Sequence, residues 1–307
     1  MNFLDKLDPE LRQWIEAQPQ YNLETLPLSY IAELARKRPI LFPLEQAEGI
    51  DINDHTLPTS GVKIRVYKPK GRTEKLPLYV YYYGGGFFSG SIAHNDMLCQ
   101  RWAMEAQCAV ATVEYRKVPE HPYPAAFDDC YDTLLWAAEN GAFNSQKIVV
   151  GGVSAGGSLA AGVALKARDT NGPTLQGQLL IIPGLDHRFV TPSSYLPVDT
   201  RIWNRSLALK AWEAWLKNCT KDIPVYASPA TCTDFSDLPP AFVSAESEDI
   251  LFDEAQIYAK NLIEAGVKTK LHIAKRAFHA SFAYLPDAEP SRNHHQAIIQ
   301  ALKNFIQ

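Results

Sequence analysis

Ser154 lies between glycines, in the run Gly-Gly-Val-Ser-Ala-Gly-Gly at residues 151–157. This spacing is suited to nucleophilic catalysis. Residues 147–150 form an apolar run that predicts a buried strand, and the Ala- and Leu-rich residues 158–166 predict a helix. So sharp a turn needs glycine where side chains would collide, here at 152 and 156. The serine hydroxyl would then stand at the carboxyl end of a strand, beside helix N–H groups that favour negative charge.

Three glycines at 84–86 directly follow a second run, 76–83, that predicts a buried strand. They form either a flexible turn or a loop whose backbone must approach a substrate closely, which a Cβ would obstruct. In the second interpretation the N–H groups of Gly84, Gly85 and Ala155 make a three-donor oxyanion hole. Phe87 and Phe88 follow at once and are candidates for an apolar acyl pocket.

A carboxylate and a histidine complete the set, in the chain order of this chemistry. Asp249 and Asp253 both follow a predicted strand at 241–245, and Asp253 also suits a helix N-cap. His279 follows the last predicted strand, 270–274, and is the expected base. Two nearby glutamates, Glu246 and Glu248, are interpreted as loop or surface charges.

The other histidines considered are expected to be structural. His272 lies within a predicted strand, and His187 precedes the acid in the chain. His294 and His295 are adjacent on a predicted helix, so they face different directions and make a poor metal pair.

Several motifs in order resemble the hormone-sensitive-lipase-like family of α/β-hydrolases, in its bacterial acetyl-esterase and carboxylesterase branch. Residues 83–87 stand where the family has His-Gly-Gly-Gly-Phe, and residues 115–126 (Tyr-Arg-Lys-Val-Pro-Glu-His-Pro-Tyr-Pro-Ala-Ala) are similar to its Tyr-Arg-Leu-Ala-Pro-Glu-His-Pro-Phe-Pro-Ala-Ala. Residues 152–157 resemble Gly-Asp-Ser-Ala-Gly-Gly, and residues 226–229 and 238–241 also fit. The resemblance runs from about residue 62 to 280.

The resemblance implies a Ser-His-Asp triad of Ser154, His279 and Asp249. The family pattern Asp-Pro-Leu-Arg-Asp-Glu, aligned on residues 253–254, gives the catalytic role to Asp249, although the loop here is one residue longer. Tyr83 replaces a family histidine that shapes the loop, and we expect its hydroxyl to bond backbone or ordered water. Val153 replaces the usual acid or threonine and should affect packing or local hydrogen bonding.

The elements that position these residues alternate between strand and helix from about residue 62 onward, which predicts an α/β fold with a mostly parallel sheet covered by helices. Together with the resemblance, this gives one α/β-hydrolase domain over 1–307 with a helical cap. The cap is predicted from about 1–50, which look helical, and from 190–220. In the second segment Trp203, Trp212 and Trp215 recur in a helical pattern.

The 307 residues carry a net charge of -4, so no nucleic-acid or membrane partner is expected. The start of the chain lacks the pattern of a signal peptide, and no run is long enough to span a bilayer. Five scattered cysteines fit free thiols in a cytoplasmic protein. A homodimer is compatible with the sequence.

The expected activity is hydrolysis of short- to medium-chain carboxylic esters through an acyl-enzyme, with no metal or organic cofactor. The same residues would serve an amidase, a formamidase or a lactonase, which differ in the bond that is broken. A non-catalytic ligand-binding member of the fold, similar to the plant gibberellin receptors, is the alternative from another class. The three filled triad positions favour the enzyme.

Overall fold

A central sheet of eight strands crosses the protein in the order β1-β2-β4-β3-β5-β6-β7-β8. The computed structural model describes residues 2–20, 23–40 and 47–307. The first three strands in this order, β1, β2 and β4, pair antiparallel, and all the remaining pairs are parallel. The strands are β1 (Ile50–Thr56), β2 (Lys63–Pro69), β3 (Leu76–Tyr82), β4 (Ala109–Val113), β5 (Phe143–Val153), β6 (Gly177–Ile181), β7 (Ala241–Glu246) and β8 (Thr269–Ala274).

Helices cover the sheet, and the inner strands β4 and β6 are therefore buried at every position. Their apolar residues join those of the flanking helices in one continuous core. The helices are α1 (Phe3–Lys6), α2 (Pro9–Ala17), α3 (Leu28–Arg36), α4 (Ile92–Ala106), α5 (Ala125–Glu139), α6 (Ala155–Asp169), α7 (Arg205–Trp215), α8 (Phe252–Glu264), α9 (Ser281–Tyr284) and α10 (Glu289–Ile306).

The predicted fold class is confirmed: the protein has an α/β-hydrolase fold with a mostly parallel sheet between helices. One strand, β1, was not predicted, because the sheet was expected to begin at about residue 62. β1 pairs along its whole length with β2, from Ile50 opposite Pro69 to Thr56 opposite Lys63. Only Ile50 of its residues is fully buried, so this edge strand has almost none of the apolar alternation that marks a strand.

The N-terminal helices and the 190–220 segment contact each other. The Lys210 ammonium on α7 donates to the carbonyls of Glu24 and Leu26, both at 2.6 Å, and Arg201 donates to the Glu16 carbonyl. Residues 1, 21–22 and 41–46 of the predicted cap lie outside the described residues. That the two segments form a cap over the site stays a prediction.

The tryptophans of this segment do not all share a helix, as the sequence pattern suggested. Trp212 and Trp215 lie on α7, but Trp203 precedes the N-cap residue, Asn204, and is therefore outside the helix. Within the ranges given above, no helix has the length and apolar character needed to cross a membrane.

Candidate active site

Ser154 stands at the sharp turn between β5 and α6. Its backbone has φ 56° and ψ −119°, a conformation that a residue with a side chain seldom adopts and that the surrounding structure must hold. A Cβ on Gly152 would lie 2.2 Å from the Gly156 carbonyl oxygen, and a Cβ on Gly156 would lie 2.0 Å from that of Tyr82. The turn therefore excludes side chains at both positions, as the sequence predicted.

Three side chains from the carboxyl ends of different strands meet at this turn. His279 Nε2 lies 2.8 Å from Ser154 Oγ, and His279 Nδ1 lies 2.6 Å from Asp249 Oδ2. All three side chains are nearly inaccessible to solvent. Because a carboxylate only accepts hydrogen bonds, Nδ1 carries the proton and Nε2 can accept that of the serine hydroxyl.

Asp249 is fixed on both sides. Its Oδ1 accepts a hydrogen bond from the Leu251 N–H at 3.1 Å, which leaves Oδ2 for the imidazole. Burial acts to lower the pKa of His279, but attraction to Asp249, the hydrogen bond between them and the nearby Glu246 outweigh it, and the pKa of His279 is raised. The pair is therefore built to hold an imidazolium.

Asp253, the alternative acid, lies elsewhere. Its Oδ2 accepts from the Ser193 N–H at 2.7 Å, and its own N–H donates to Ser193 Oγ at 3.0 Å. The N-cap interpretation of this residue was wrong, since Leu251 is the N-cap of α8 and Asp253 lies in its first turn. Asp253 ties α8 to the segment before α7.

The loop of residues 83–90, which we call the glycine loop, lies beside Ser154. A Cβ on Gly84 would come within 2.9 Å of the Val153 carbonyl oxygen and 3.2 Å of Ser154 Cβ. Gly85 has φ +125° and its carbonyl accepts from the Ser89 N–H, which closes a tight turn. Ala155 is the first residue of α6. That the N–H groups of Gly84, Gly85 and Ala155 form an oxyanion hole stays a prediction.

Tyr83 is buried and stacks on the Tyr115 ring, with centroids 4.4 Å apart. Its hydroxyl donates to Glu114 Oε1 at 3.0 Å, so the expected partner, backbone or water, is replaced by a carboxylate. Lys117 Nζ lies 2.6 Å from the same oxygen, and the Tyr115 hydroxyl donates to the Tyr83 carbonyl at 2.9 Å. The Tyr-Arg motif at 115–116 thus begins with a residue that holds the glycine loop.

The two predicted pocket residues point to different neighbours. Phe87 stacks on Trp215 at 4.4 Å between ring centroids and lies against Trp212. Phe88 packs against Trp203, whose ring lies 5.9 Å from that of His279. Trp203 therefore borders both His279 and Phe88. The pocket roles of Phe87 and Phe88 stay predictions.

The interpretation of Glu246 as a loop or surface charge was wrong. This last residue of β7 has no solvent exposure, and its carboxyl group accepts hydrogen bonds from the residues that follow His279. Glu248, in contrast, is partly exposed and lies 3.9 Å from Lys6. Sequence reasoning missed Glu246 because its partners are more than thirty residues away along the chain.

The remaining histidines make structural contacts. His187 Nδ1 lies 2.9 Å from Ser228 Oγ, and burial lowers the pKa of His187. His294 and His295 point apart, to Ser244 Oγ and to Glu105 respectively. In the part of the chain that the structure describes, no three histidine, cysteine or acidic side chains are grouped as metal ligands.

Comparison with known proteins gives one consistent result. Residues 79–283 match the model of a family described as "alpha/beta hydrolase fold". Carboxylesterase NlhH of Mycobacterium tuberculosis is 35% identical over 81% of this chain and 83% of its own length, and esterase LipI of the same species is 33% identical over 74% and 73%. The solved structure titled "Bacterial Heroin Esterase" superposes with a TM-score of 0.88 at 32% identity, over 100% of both chains.

Proposed function

We propose a function from the premise that the chain belongs to the hormone-sensitive-lipase-like family of α/β-hydrolases and is an enzyme of the carboxylesterase type. In this proposal it hydrolyses short- to medium-chain carboxylic esters, with Ser154, His279 and Asp249 as its catalytic triad. The observation that carries the proposal is the unbroken hydrogen-bonded chain from Asp249 through His279 to Ser154, at 2.6 and 2.8 Å. It gives a weak nucleophile an adjacent base and gives the base a fixed orientation.

The first half of the reaction acylates the enzyme. Ser154 Oγ attacks the ester carbonyl while His279 Nε2 takes the hydroxyl proton. Asp249 keeps the proton on Nδ1 and stabilises the imidazolium, in keeping with the raised pKa of His279. His279 then gives its proton to the departing alcohol.

The second half releases the acid, when His279 deprotonates a water that attacks the acyl-serine. In both halves we propose that the N–H groups of Gly84, Gly85 and Ala155 bind the oxyanion, each donor contributing about 3–4 kcal/mol at comparable sites. The backbone of Gly84 runs so close to Ser154 that a Cβ there would lie 3.2 Å from Ser154 Cβ, and this approach supports the assignment.

The aromatic wall beside the base supports the preference for short and medium acyl chains. Trp203 packs against Phe88 and lies next to His279, and a Cβ on Gly86 would lie 2.7 Å from both rings. We propose that these rings form an apolar wall beside the acyl group and that the wall limits its length to short and medium chains.

The test is hydrolysis of p-nitrophenyl esters with acyl chains of increasing length by wild type and by Ser154→Ala. The variant lacks only one hydroxyl, so it should fold normally and lose several orders of magnitude in kcat. An organophosphate should label Ser154 in the wild type, and Ser158, the next serine along the chain, is the internal control for mapping by mass spectrometry. A variant that keeps a tenth of the activity, or a wild type that cleaves none of the esters, would overturn the proposal.

A further inference from the structure

A buried carboxyl group lies against the loop that carries the proposed base, residues 275–281, which we call the histidine loop. Glu246 Oε2 accepts a hydrogen bond from the Ala280 N–H at 2.6 Å, and Oε1 accepts one from the Ser281 hydroxyl at 2.7 Å. Glu246 and Ser281 are both almost fully inaccessible to solvent. The two bonds fix the backbone immediately after His279.

The conformation that these bonds hold is an unusual one. Ala280 has φ 64°, in the left-handed region that residues with a Cβ rarely occupy, so the surrounding contacts must maintain it. Before His279, the histidine loop is held by other bonds, from the Asp8 N–H to the Arg276 carbonyl and from the Glu248 N–H to the Ala277 carbonyl. Glu246 is thus the polar side chain that holds the far side of His279.

We propose that Glu246 is a positioning residue for catalysis: by binding Ala280 and Ser281 it keeps the His279 imidazole between Asp249 and Ser154. The inference rests on the proposed function, because it assigns a role in the reaction of that site. Imidazole orientation matters because a displacement of about 1 Å at a catalytic group can cost on the order of a hundredfold in rate.

The pKa of this carboxyl group lies well above its ordinary value. Burial, followed by repulsion from Asp249, raises the pKa of Glu246 to about 8, against the opposing effects of His279 and the two hydrogen bonds. When protonated, Glu246 can still accept from the Ala280 N–H through its carbonyl oxygen and can donate to Ser281 Oγ. Positioning therefore does not require the ionised form.

The groups that face Glu246 from other elements supply no fixed positive charge. His294 on α10 lies 3.7 Å from Glu246, but burial lowers the pKa of His294 to about 3. His272 on β8 stacks on His294, and its pKa is lowered to about 4 by burial and then by the electrostatic effect of His294. Tyr284 on α9 has a pKa raised by burial. Over the described ranges, no lysine or arginine forms an ion pair with Glu246, so its charge acts on Asp249 and His279.

The sign of the pH effect follows from this. An ionised Glu246 stabilises the imidazolium and raises the pKa of His279. His279 must be neutral to accept the Ser154 proton, so activity falls as the pH drops through its pKa. Because the pKa of Glu246 is itself raised to about 8, this carboxyl group is neutral at lower pH. Glu246→Gln, which is neutral at every pH and keeps an acceptor for the Ala280 N–H, should therefore leave the acid limb of kcat/KM below about pH 8 close to that of wild type.

The experiment compares Glu246→Ala, Glu246→Gln and Ser281→Ala on p-nitrophenyl acetate. Glu246→Ala should lower kcat by between about tenfold and a hundredfold with KM almost unchanged, and Glu246→Gln should restore most of kcat. Ser281→Ala, which removes one of the two bonds, should fall between them. The matched control is Glu248→Gln, the same change two residues away at a partly exposed site, which should leave kcat and the pH profile as in wild type.

A second readout needs no turnover. The proton on His279 Nδ1, in its 2.6 Å bond to Asp249, should give a far-downfield NMR signal in the resting protein. Glu246→Ala should shift or broaden this signal, and Glu246→Gln should retain it.

Wild type without esterase activity would refute the proposed function, and the NMR signal would still test the positioning role of Glu246. The inference would be overturned if Glu246→Ala kept kcat within about twofold of wild type and also kept the NMR signal unchanged. It would also be overturned if Glu246→Gln lost as much kcat as Glu246→Ala. If Glu246→Ala does not fold, wild-type kcat together with an unchanged NMR signal in Ser281→Ala, which lacks one of the two bonds to Glu246, overturns the inference.

Discussion

The glycine loop and the histidine loop both follow a parallel strand, and a glutamate holds each of them. Glu114 holds the glycine loop at a distance, through the Tyr83 hydroxyl and the Ile92 N–H. Glu246 holds the histidine loop directly, through the N–H of the residue after His279. The first glutamate thus contacts the loop of the proposed oxyanion donors through the Tyr83 side chain, and the second contacts the backbone one residue after the proposed base.

The two glutamates also differ in charge compensation. Lys117 Nζ lies 2.6 Å from Glu114, whose side chain is about one-third exposed. Glu246 is fully buried, its nearest histidine partner is neutral, and its pKa is raised to about 8. The contrast teaches that the glutamate at the glycine loop is held in a charge pair, whereas the glutamate at the histidine loop is buried without a cationic partner and holds the loop through hydrogen bonds that do not require its ionised form.

The largest expected effect comes from removing the charge of Asp249, which binds the imidazole of the histidine loop, while keeping its shape. Asp249→Asn preserves the side-chain outline but favours the wrong tautomer of His279, so kcat should fall by about 10³- to 10⁴-fold. Asp253→Asn is the matched control and should remain near wild type in kcat, because its contacts are with Ser193. Steady-state kinetics with a p-nitrophenyl ester decide the point. A loss below tenfold in Asp249→Asn would break the contrast between charge and shape.

The next effect comes from changing shape at the glycine loop while keeping charge. The Cβ of Gly84→Ala would meet the Val153 carbonyl oxygen at 2.9 Å, so the loop must shift and its N–H groups must move. We expect a loss of about a hundredfold in kcat, similar to the loss of one oxyanion donor. Gly141→Ala has open space around its Cβ and serves as the control. Wild-type kcat in Gly84→Ala would show that this approach is not part of the machinery.

Sequence reasoning succeeded where local pattern determines local structure. The helix predicted at 158–166 lies within α6, and the strands predicted at 241–245 and 270–274 lie within β7 and β8. The sharpness of the turn at Ser154 predicted that only glycine fits at positions 152 and 156, and the structure leaves no room for a Cβ at either position. The fold class followed from the alternation of strands and helices.

Sequence reasoning failed where the deciding contact is distant along the chain. β1 is held by pairing with β2, and its mostly polar residues carry no signal of that pairing. In the sequence, Glu246 cannot be distinguished from other loop carboxylates. Its role becomes visible only because the strand order places β7 beside β8, which brings Glu246 to the histidine loop. Trp203 fits the helical spacing of its neighbours, but Asn204 caps the helix one residue later.

The smallest effect should follow loss of the Tyr83 hydroxyl. Tyr83→Phe keeps the ring stacked on Tyr115 and removes one hydrogen bond to Glu114. Glu114 retains Lys117 and the Ile92 N–H, so the change leaves no unpaired buried carboxylate. We expect kcat to fall by about tenfold with KM unchanged, because the free energy of one hydrogen bond that orders the loop corresponds to about that change in rate.

The double variant of Tyr83→Phe with Glu114→Ala, which removes the acceptor, distinguishes the two roles that this hydroxyl can have. If Tyr83 acts only by holding the glycine loop through Glu114, Tyr83→Phe and Glu114→Ala remove one shared contact, and their double variant should be no slower than Glu114→Ala alone. If the hydroxyl instead donates to the oxyanion, Tyr83→Phe alone should cost on the order of a hundredfold or more in kcat, and the losses should multiply. The observed bond to Glu114 favours the first outcome, because a hydroxyl that donates its single proton to a carboxylate has none left for the substrate.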